Sequence, residues 1–323
     1  MSVSGPVRTG IDLGHRWVKL LRGQGASTLK RITHAGVEEI DIKSSDDEIV
    51  RTAEALKRLL NRLGLNGKKL GTIAVAVRGE EANVREVALP RLSTAELRLA
   101  LPFEAKKHLN LEDMISPILD FQIMGKQAPE KEGDPEEMRV LLAAAPLSQR
   151  EFSLKVLSQL GLEPNVVDLE PLAGLNALLA AKSSAKTGVL GLLDLGAQHT
   201  RLYMTQADGG ILTRTIGPGV PDSADADEVN GYLDRLAEQI RETQTFYRSR
   251  FRKDLGLLMV GGGGALNTGL CEKLNAKIGV DLSILDPLEG LEKSKKAEQE
   301  IAAKGPHYIT ACGLCRWWDH TDV

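Results

Sequence analysis

Two aspartates stand in the same short phrase at two distant points of the chain, Gly10-Ile11-Asp12-Leu13-Gly14 and Leu192-Leu193-Asp194-Leu195-Gly196. Val18, Lys19 and Leu20 follow the first, and Thr200, Arg201 and Leu202 follow the second at matching offsets. A strand that ends in Asp-x-Gly and turns back into a second strand makes a hairpin suited to phosphate. The glycine lets the backbone come close to an anion, and the carboxylate can hold a metal ion through water. Two such hairpins facing each other across a cleft would grip a nucleotide from both sides. The bland alternative is that each aspartate caps its own turn.

A further chemical signal is Gly261-Gly262-Gly263-Gly264, between the apolar run 255–260 and a helical pattern. Residues without Cβ permit close approach to a base or phosphate, and a helix N-terminus favours an anion. Packing alone could demand one such glycine, but hardly four in a row. Cys312 and Cys315 have redox or zinc spacing, yet they fall mid-helix with no second cysteine pair. His320 would not complete four ligands, so a buried core role is expected.

The elements that must position these groups follow from pattern. The spacing between the two phrases is too long for a solenoid repeat and fits two related lobes. Residues 8–23 read as two strands around Gly14, with a third near 29–42. Ser45 with Glu48 reads as a capping box, and Ile49, Ala53, Leu56, Leu60 and Leu63 follow at helical spacing up to Gly64. A strand over 70–77 completes a β-β-β-α-β order that suits a ribonuclease-H-like lobe. Pro90 and Ser93 open a helix over 94–108, then come strands at 118–124 and 139–145 around a charged loop at 126–138. Helices are expected at 148–160 and 170–182, a strand at 164–168, and a hinge-like linker at 182–188. The second set has strands near 189–195, 199–205, 210–216 and 255–260, helices at 229–248 and 266–278, an edge strand at 280–285 and a last helix at 307–318.

Composition narrows the function. A chain of 323 residues with 42% hydrophobic and 26% charged residues has room for two or more ordinary globular domains. A net charge of −3 gives no field to attract nucleic acid or an anionic membrane. Aromatic residues at 4% leave little for a base-stacking platform. Three cysteines make no disulfide framework, no signal pattern opens the chain, and no apolar run is long enough to span a bilayer. The expected compartment is the cytoplasm, without direct membrane insertion.

In this order the motifs resemble the actin-like ATPase superfamily, which includes actin, Hsp70, sugar kinases and FtsA. Within it the chain is most similar to the PilM family of type IV pilus assembly. The stretches that carry the resemblance are LPFEAKKHLNLEDMISPILDFQIMG, LKVLSQLGLEPNVVDLEPLAGLNAL, and LAEQIRETQTFYRSRF followed by LMVGGGGALNTGLCEKLNAKIGVDLSILDP. The resemblance implies an α/β, actin-like two-lobe fold of duplicated ribonuclease-H-like domains, with a small α+β subdomain inserted in the first lobe. The first lobe would comprise 1–88 and 146–188, the insert 89–145, the second lobe 189–305 with a reduced outer subdomain, and a closing helix 306–323. It also implies that Asp12 and Asp194 organise Mg²⁺ through water and that Lys19 neutralises phosphate charge. Glu170 would face the metal's waters as the one catalytic candidate. Gly14, Gly196, Thr200, Gly261, Gly262 and Gly263 would complete an ATP site. Two of these have plain alternatives: Lys19 as a strand-surface lysine, and Glu170 as favourable charge in a first helical turn.

The sequence departs from the family in two places. Small hydroxyl residues usual in the hairpin turns are replaced by His15-Arg16-Trp17 in one and Gln198-His199 in the other. Trp17 and His199 stand at the same offset from each aspartate. Large rings there could fill phosphate space, whereas Arg16 could pair with phosphate, and His15 and His199 could join the aspartates as metal ligands. In place of a small subdomain covering adenine there is only GPGVPDSADADEVN, from Gly217 to Asn230, which leaves the pocket short of a wall. The expectation is a scaffold that binds the N-terminal peptide of a PilN-like inner-membrane partner near residues 75–125, alongside other pilus-assembly proteins. Nucleotide binding would be weak or degenerate. The alternative is a catalytically active actin-like ATPase or kinase, for which Asp12, Asp194 and Glu170 supply part of the machinery.

Overall fold

The structure, a computed structural model, describes residues 5–79, 82–112, 114–127, 136–181, 188–206, 209–223, 225–302 and 304–320. Strands β1 (Val7–Leu13), β2 (Trp17–Gln24) and β3 (Arg31–Glu39) form an antiparallel meander. Helix α1 (Glu48–Leu63) and the single turn α2 (Gly67–Leu70) lead to β4 (Thr72–Val77), which lies parallel to β1. An excursion follows, through β5 (Asn83–Pro90), α3 (Thr94–His108), β6 (Pro117–Gln127) and β7 (Glu137–Pro146). Helix α4 (Leu147–Ser158) returns the chain to β8 (Val166–Leu169), parallel to β4, and α5 (Glu170–Ala181) leads away.

The pattern then repeats. Strands β9 (Val189–Leu195), β10 (His199–Gln206) and β11 (Gly209–Pro218) make a second meander. Helix α6 (Ala226–Phe251) returns to β12 (Leu255–Gly261), parallel to β9, and α7 (Thr268–Ile278) crosses to β13 (Leu282–Ile284). The chain ends with β14 (Glu292–Lys293), α8 (Lys295–Ile301) and α9 (Ile309–Cys315). The two sheets contain the same strand order, β3-β2-β1-β4-β8 and β11-β10-β9-β12-β13.

Burial explains why the halves stay together. One apolar cluster lies between the first sheet and α1 and α4, and another between the second sheet and α6 and α7. A third joins the halves: Leu21 and Ile32 of the first sheet, Leu192 and Tyr203 of the second, Leu178 of α5, and Ile309 and Cys312 of α9. Helix α9 sits so close to its neighbours that three residues facing it must be glycine or face glycine. A Cβ on Gly313 would strike the Ala173 carbonyl, one on Gly10 the Ala311 carbonyl, and one on Gly261 the Ile309 side chain. Cys312 and Cys315 are core residues, as expected; Cys315 Sγ accepts from Gly10 N at 3.2 Å.

Several expectations are corrected. Helix α1 is capped by Asp47, whose carboxylate accepts from Ile49 N at 2.8 Å, so the Ser45–Glu48 box does not form. The cap nearest the first helical residue wins because its oxygen reaches the first free amides. At α3, the helix that Ser93 was expected to open, a capping box not foreseen from the sequence is present: Ser93 and Glu96 bond each other's backbone. Strand β5 falls outside every expected strand. Helix α7 begins at Thr268 after a 3₁₀ turn, Gly263–Leu266, so the glycines do not directly open a long helix. Strand β14 and helix α8 occupy a stretch without an expected element. The last helix is broken into 3₁₀ turns on either side of α9. Residues 128–135 of the charged loop and 182–187 of the linker lie outside the described residues.

The α9 packing generates the first prediction. Gly313→Ala forces a methyl into a backbone carbonyl with no side chain able to give way. We expect a loss of about 1–3 kcal/mol, read as a lower denaturation midpoint in urea. An unchanged midpoint would mean that α9 is free to shift.

Candidate functional site

The pairing register builds the site. In the first hairpin Asp12 lies opposite Lys19, and in the second Asp194 lies opposite Arg201. The turns close identically, Gly14 N donating to Trp17 O and Gly196 N to His199 O, both at 3.1 Å. A Cβ on either glycine would press on that same carbonyl. The two hairpins confront each other across a cleft of about 520 Å³, within the range of small-molecule pockets. Asp12, Lys19, Glu170, Asp194 and Arg201 all line it, with Gly14, Gly196, Gly262 and Gly263.

Two of the expected contact residues lie elsewhere. Thr200 is fully buried; its hydroxyl bonds to the Pro218 carbonyl at 2.7 Å and to the Tyr232 hydroxyl at 2.8 Å. Alternation along β10 explains this, since neighbouring residues face opposite sides of a sheet. Thr200 is the counterpart of Val18, and Arg201 is the counterpart of Lys19. Gly261 also stays off the cleft and serves the packing of Ile309. Gly262 has φ 79, and a Cβ there would collide with the Asp194 carboxylate. It is therefore the residue of the glycine run that lets the β12 turn approach the second hairpin.

The cleft's charges are already matched. Lys19 Nζ meets Asp12 Oδ2 at 2.8 Å, and Arg201 Nη1 meets Glu170 Oε2 at 3.0 Å. Glu170 Oε2 also accepts from Gly79 N at 2.9 Å. Burial alone would lift the Glu170 carboxyl, but Arg201, the Gly79 amide and Lys19 hold it below its ordinary value. Burial works against the Lys19 ammonium too, yet Asp12, Glu170 and Asp194 together keep its pKa above the ordinary one. Asp194 has no such excess of cations. Burial first, then the Glu170 charge, push it up to about 6.

Sequence reasoning missed Arg78. Its guanidinium lies beneath the first turn, donating to Leu13 O at 2.9 Å and Gly14 O at 3.1 Å, and pairs with Glu48 at 2.6 Å. An arginine just past a buried strand's end, next to Gly79, was the available signal. The bulky turn residues come together at the mouth. His15 and His199 stand edge to face, 5.9 Å apart, and Trp17 lies 6.1 Å from His307. Arg16 reaches across to Asp222 at 3.1 Å. The short segment after β11 contributes Val220, Pro221 and Asp222 to the cleft lining.

These features bear on a bound metal nucleotide. Among the described residues, no group of three or more His, Cys, Asp or Glu side chains is arranged to hold a metal ion. The His15–His199 pair therefore does not extend the two aspartates into a direct ligand set. Asp12 and Asp194 both line the cleft, and Asp12 is already paired with Lys19. The fit is partial.

Duplicated meanders of one strand order, facing each other through Asp-x-Gly hairpins, define an actin-like ATPase fold. The chain belongs to the PilM family: the family described as type IV pilus assembly protein PilM matches residues 10–219 and 216–316. Among solved structures it is similar to a PilM-PilN type IV pilus biogenesis complex, at 22% identity and TM-score 0.77 over 97% of this chain and 98% of that one. A weaker likeness is to the ethanolamine utilization protein EutJ from Carboxydothermus hydrogenoformans, at 14% identity and TM-score 0.49 over 98% and 91% of the two chains.

Asp168, on β8 two residues before Glu170, sets a pH dependence. It is buried, its Oδ1 accepts from Leu169 N at 2.7 Å, and its Oδ2 has no hydrogen-bond partner. Burial lifts its pKa to about 7, against the Leu169 hydrogen bond. The folded chain thus takes up a proton near pH 7 that the unfolded chain takes up only near its ordinary 3.8. Stability should rise as pH falls from 8.5 to 7, by about 0.4 kcal/mol. Below pH 6.5 His34 and His307, both lowered by burial to about 4, oppose the gain. Urea denaturation across this range checks it, and Asp168→Asn should flatten the slope above pH 7.

Proposed function

We propose that this chain is a scaffold of type IV pilus assembly on the cytoplasmic side. It binds the N-terminal peptide of a PilN-like inner-membrane protein, and its nucleotide site is weak. The observation that carries the reading is an apolar face on the excursion between β4 and α4. Leu99 and Phe103, one helical turn apart on α3, are 78% and 77% exposed, and Ile115 is 87% exposed. These are the most exposed large hydrophobics among the described residues, and all fall within the expected docking region, 75–125. Leu97, Leu101 and Ala105 bury the opposite face of α3, so Leu99 and Phe103 add nothing to that core. Membership of the PilM family and the likeness to a PilM-PilN complex support the same partner. No helix among the described residues is long and apolar enough to cross a membrane, so attachment to one would come through the partner.

A peptide copied from the N-terminus of a neighbouring PilN-like protein should protect amides within 75–125 from hydrogen exchange. Phe103→Ala should weaken its binding about tenfold, as for an exposed aromatic anchor. Binding with no protection there would sink the reading.

The weak nucleotide site is supported by the ion pairs that occupy Lys19, Arg201 and Arg16, and by the rings at the mouth. Phosphate would have to displace a carboxylate from each cation it used. Calorimetry with ATP and Mg²⁺ should give a Kd no tighter than about 1 mM. A tight isotherm that needs Mg²⁺ would favour the ATPase alternative instead.

A further inference from the structure

Ion pairs neutralise charge in both halves of the molecule. Where the excursion joins the second sheet, as β11-β5-β7-β6, Glu86 meets Arg139 at 3.4 Å and accepts from Gly210 N at 2.8 Å and Ile211 N at 3.4 Å. On α1, Arg58 and Arg62 both meet Glu38, and Arg62 also meets Glu300 at 2.7 Å. One group of cations beside the first sheet has no such partners. Arg22 of β2, Lys69 of α2 and Lys296 of α8 gather around the end of α1, and among the described residues no carboxylate pairs with any of them. None of the three lines the cleft or belongs to the excursion.

The end of α1 brings them together. Gly64, at φ 68, closes the helix by donating to Leu60 O and Asn61 O. The carbonyls of Leu63 and Gly64 are left to side chains: Lys296 Nζ donates to the first at 2.7 Å and Lys69 Nζ to the second at 3.0 Å. Arg22 stands beside them, its Nε donating to Lys69 O at 2.6 Å and its Nη1 to Thr33 Oγ1 at 2.7 Å. His34 lies opposite Arg22 in the ladder, and its Nδ1 bonds the same Thr33 hydroxyl at 3.2 Å. Burial first, then Arg22, Lys296 and Lys69, lower the His34 imidazole to about 4, so all three cations are close to one ring. Favourable charge at a helix C-terminus accounts for one donor on each lysine. It does not account for the others: an ammonium carries three donors, and among the described residues Arg22 Nη2 makes no hydrogen bond.

We propose that Arg22, Lys69 and Lys296 form a binding site for a phosphate group at the end of α1. Phosphate suits these donors better than a carboxylate does, because it has oxygens enough for a guanidinium and two ammoniums at once. Arg22 Nη2 and the spare ammonium donors take those oxygens, and the bound charge offsets the crowding of three cations. His34 stands at the edge of the site and senses that charge. The phosphate is either free in solution or part of a lipid headgroup, since both present the same oxygens to the same donors. The site does not depend on the scaffold function proposed above.

Inorganic phosphate added to the full chain, against chloride at equal ionic strength, tests the site by nuclear magnetic resonance. Phosphate should shift the Lys69 and Lys296 amide signals and raise the titration midpoint of the His34 ring, because a nearby negative charge favours the protonated imidazole. Both lysines are exposed, so replacing either should leave the fold intact. Lys296→Gln should weaken binding about fivefold, the worth of one basic residue near an anionic surface, whereas Lys296→Arg should keep it. A second arm sediments the chain with vesicles of phosphatidylglycerol and phosphatidylcholine in equal parts. Vesicle binding that Lys296→Gln weakens and that phosphatidylcholine alone does not support identifies a lipid headgroup. Phosphate binding without vesicle binding identifies a soluble phosphate, and either result supports the site. The proposal is overturned when phosphate moves the His34 midpoint no further than chloride does and Lys296→Gln leaves vesicle binding unaltered.

Discussion

Everything at the cleft depends on how closely a seven-residue helix can approach its surroundings. Helix α9 lies against β1, α5 and the end of β12 at once, and at each contact a glycine removes the side chain that would hold them apart. That closeness lets a single apolar cluster run from the first sheet to the second. It also fixes the separation of the two hairpins, because β1 carries Asp12 and β9, beside β12, carries Asp194. The cleft is the space left over once these apolar surfaces have met.

Within that space the electrostatics are unequal by construction. The duplicated hairpins place a cation opposite each aspartate, and Lys19 meets Asp12 at 2.8 Å. Arg201 pairs with Glu170, and burial followed by the Glu170 charge raises the Asp194 carboxyl to about 6. The removal of either cation would strand a buried carboxylate, which is costly. The ion pairs are thus part of the fold's stability and, under the function proposed above, an obstacle to phosphate. A scaffold has less need than a phosphotransferase to resolve that conflict.

Much of this was legible in the sequence because duplication writes the same signal twice. Asp12, Gly14, Asp194 and Gly196 were visible from repetition, and the apolar strands around them from their length. The confusion of Thr200 with Arg201 is a one-residue slip, and in a strand one residue is the difference between core and cleft. Strand β5 was hidden because its buried residues, Val84, Val87 and Leu89, do not alternate strictly. Its existence depends on partners far along the chain, β7 and β11. The cap at Asp47 and the breaks around α9 were missed because local rules rank several acceptable stops and tertiary contacts choose among them. The join between excursion and second sheet has no local signature at all; it is made by a carboxylate reaching two amides more than a hundred residues away.

The outer boundary of the long sheet shows a different economy. Strand β6 is its last member, eleven residues long and half exposed, with one side open to further pairing among the described residues. An open, regular edge of this length invites a strand from another molecule, and with it uncontrolled polymer growth. The ladder to β7 slips between Ile123 and Gly125, leaving Met124 over, and Gly125 takes φ 132. That bulge twists the rim just where a foreign strand would have to lie flat. The rim is thereby a poor template for a second copy of the chain.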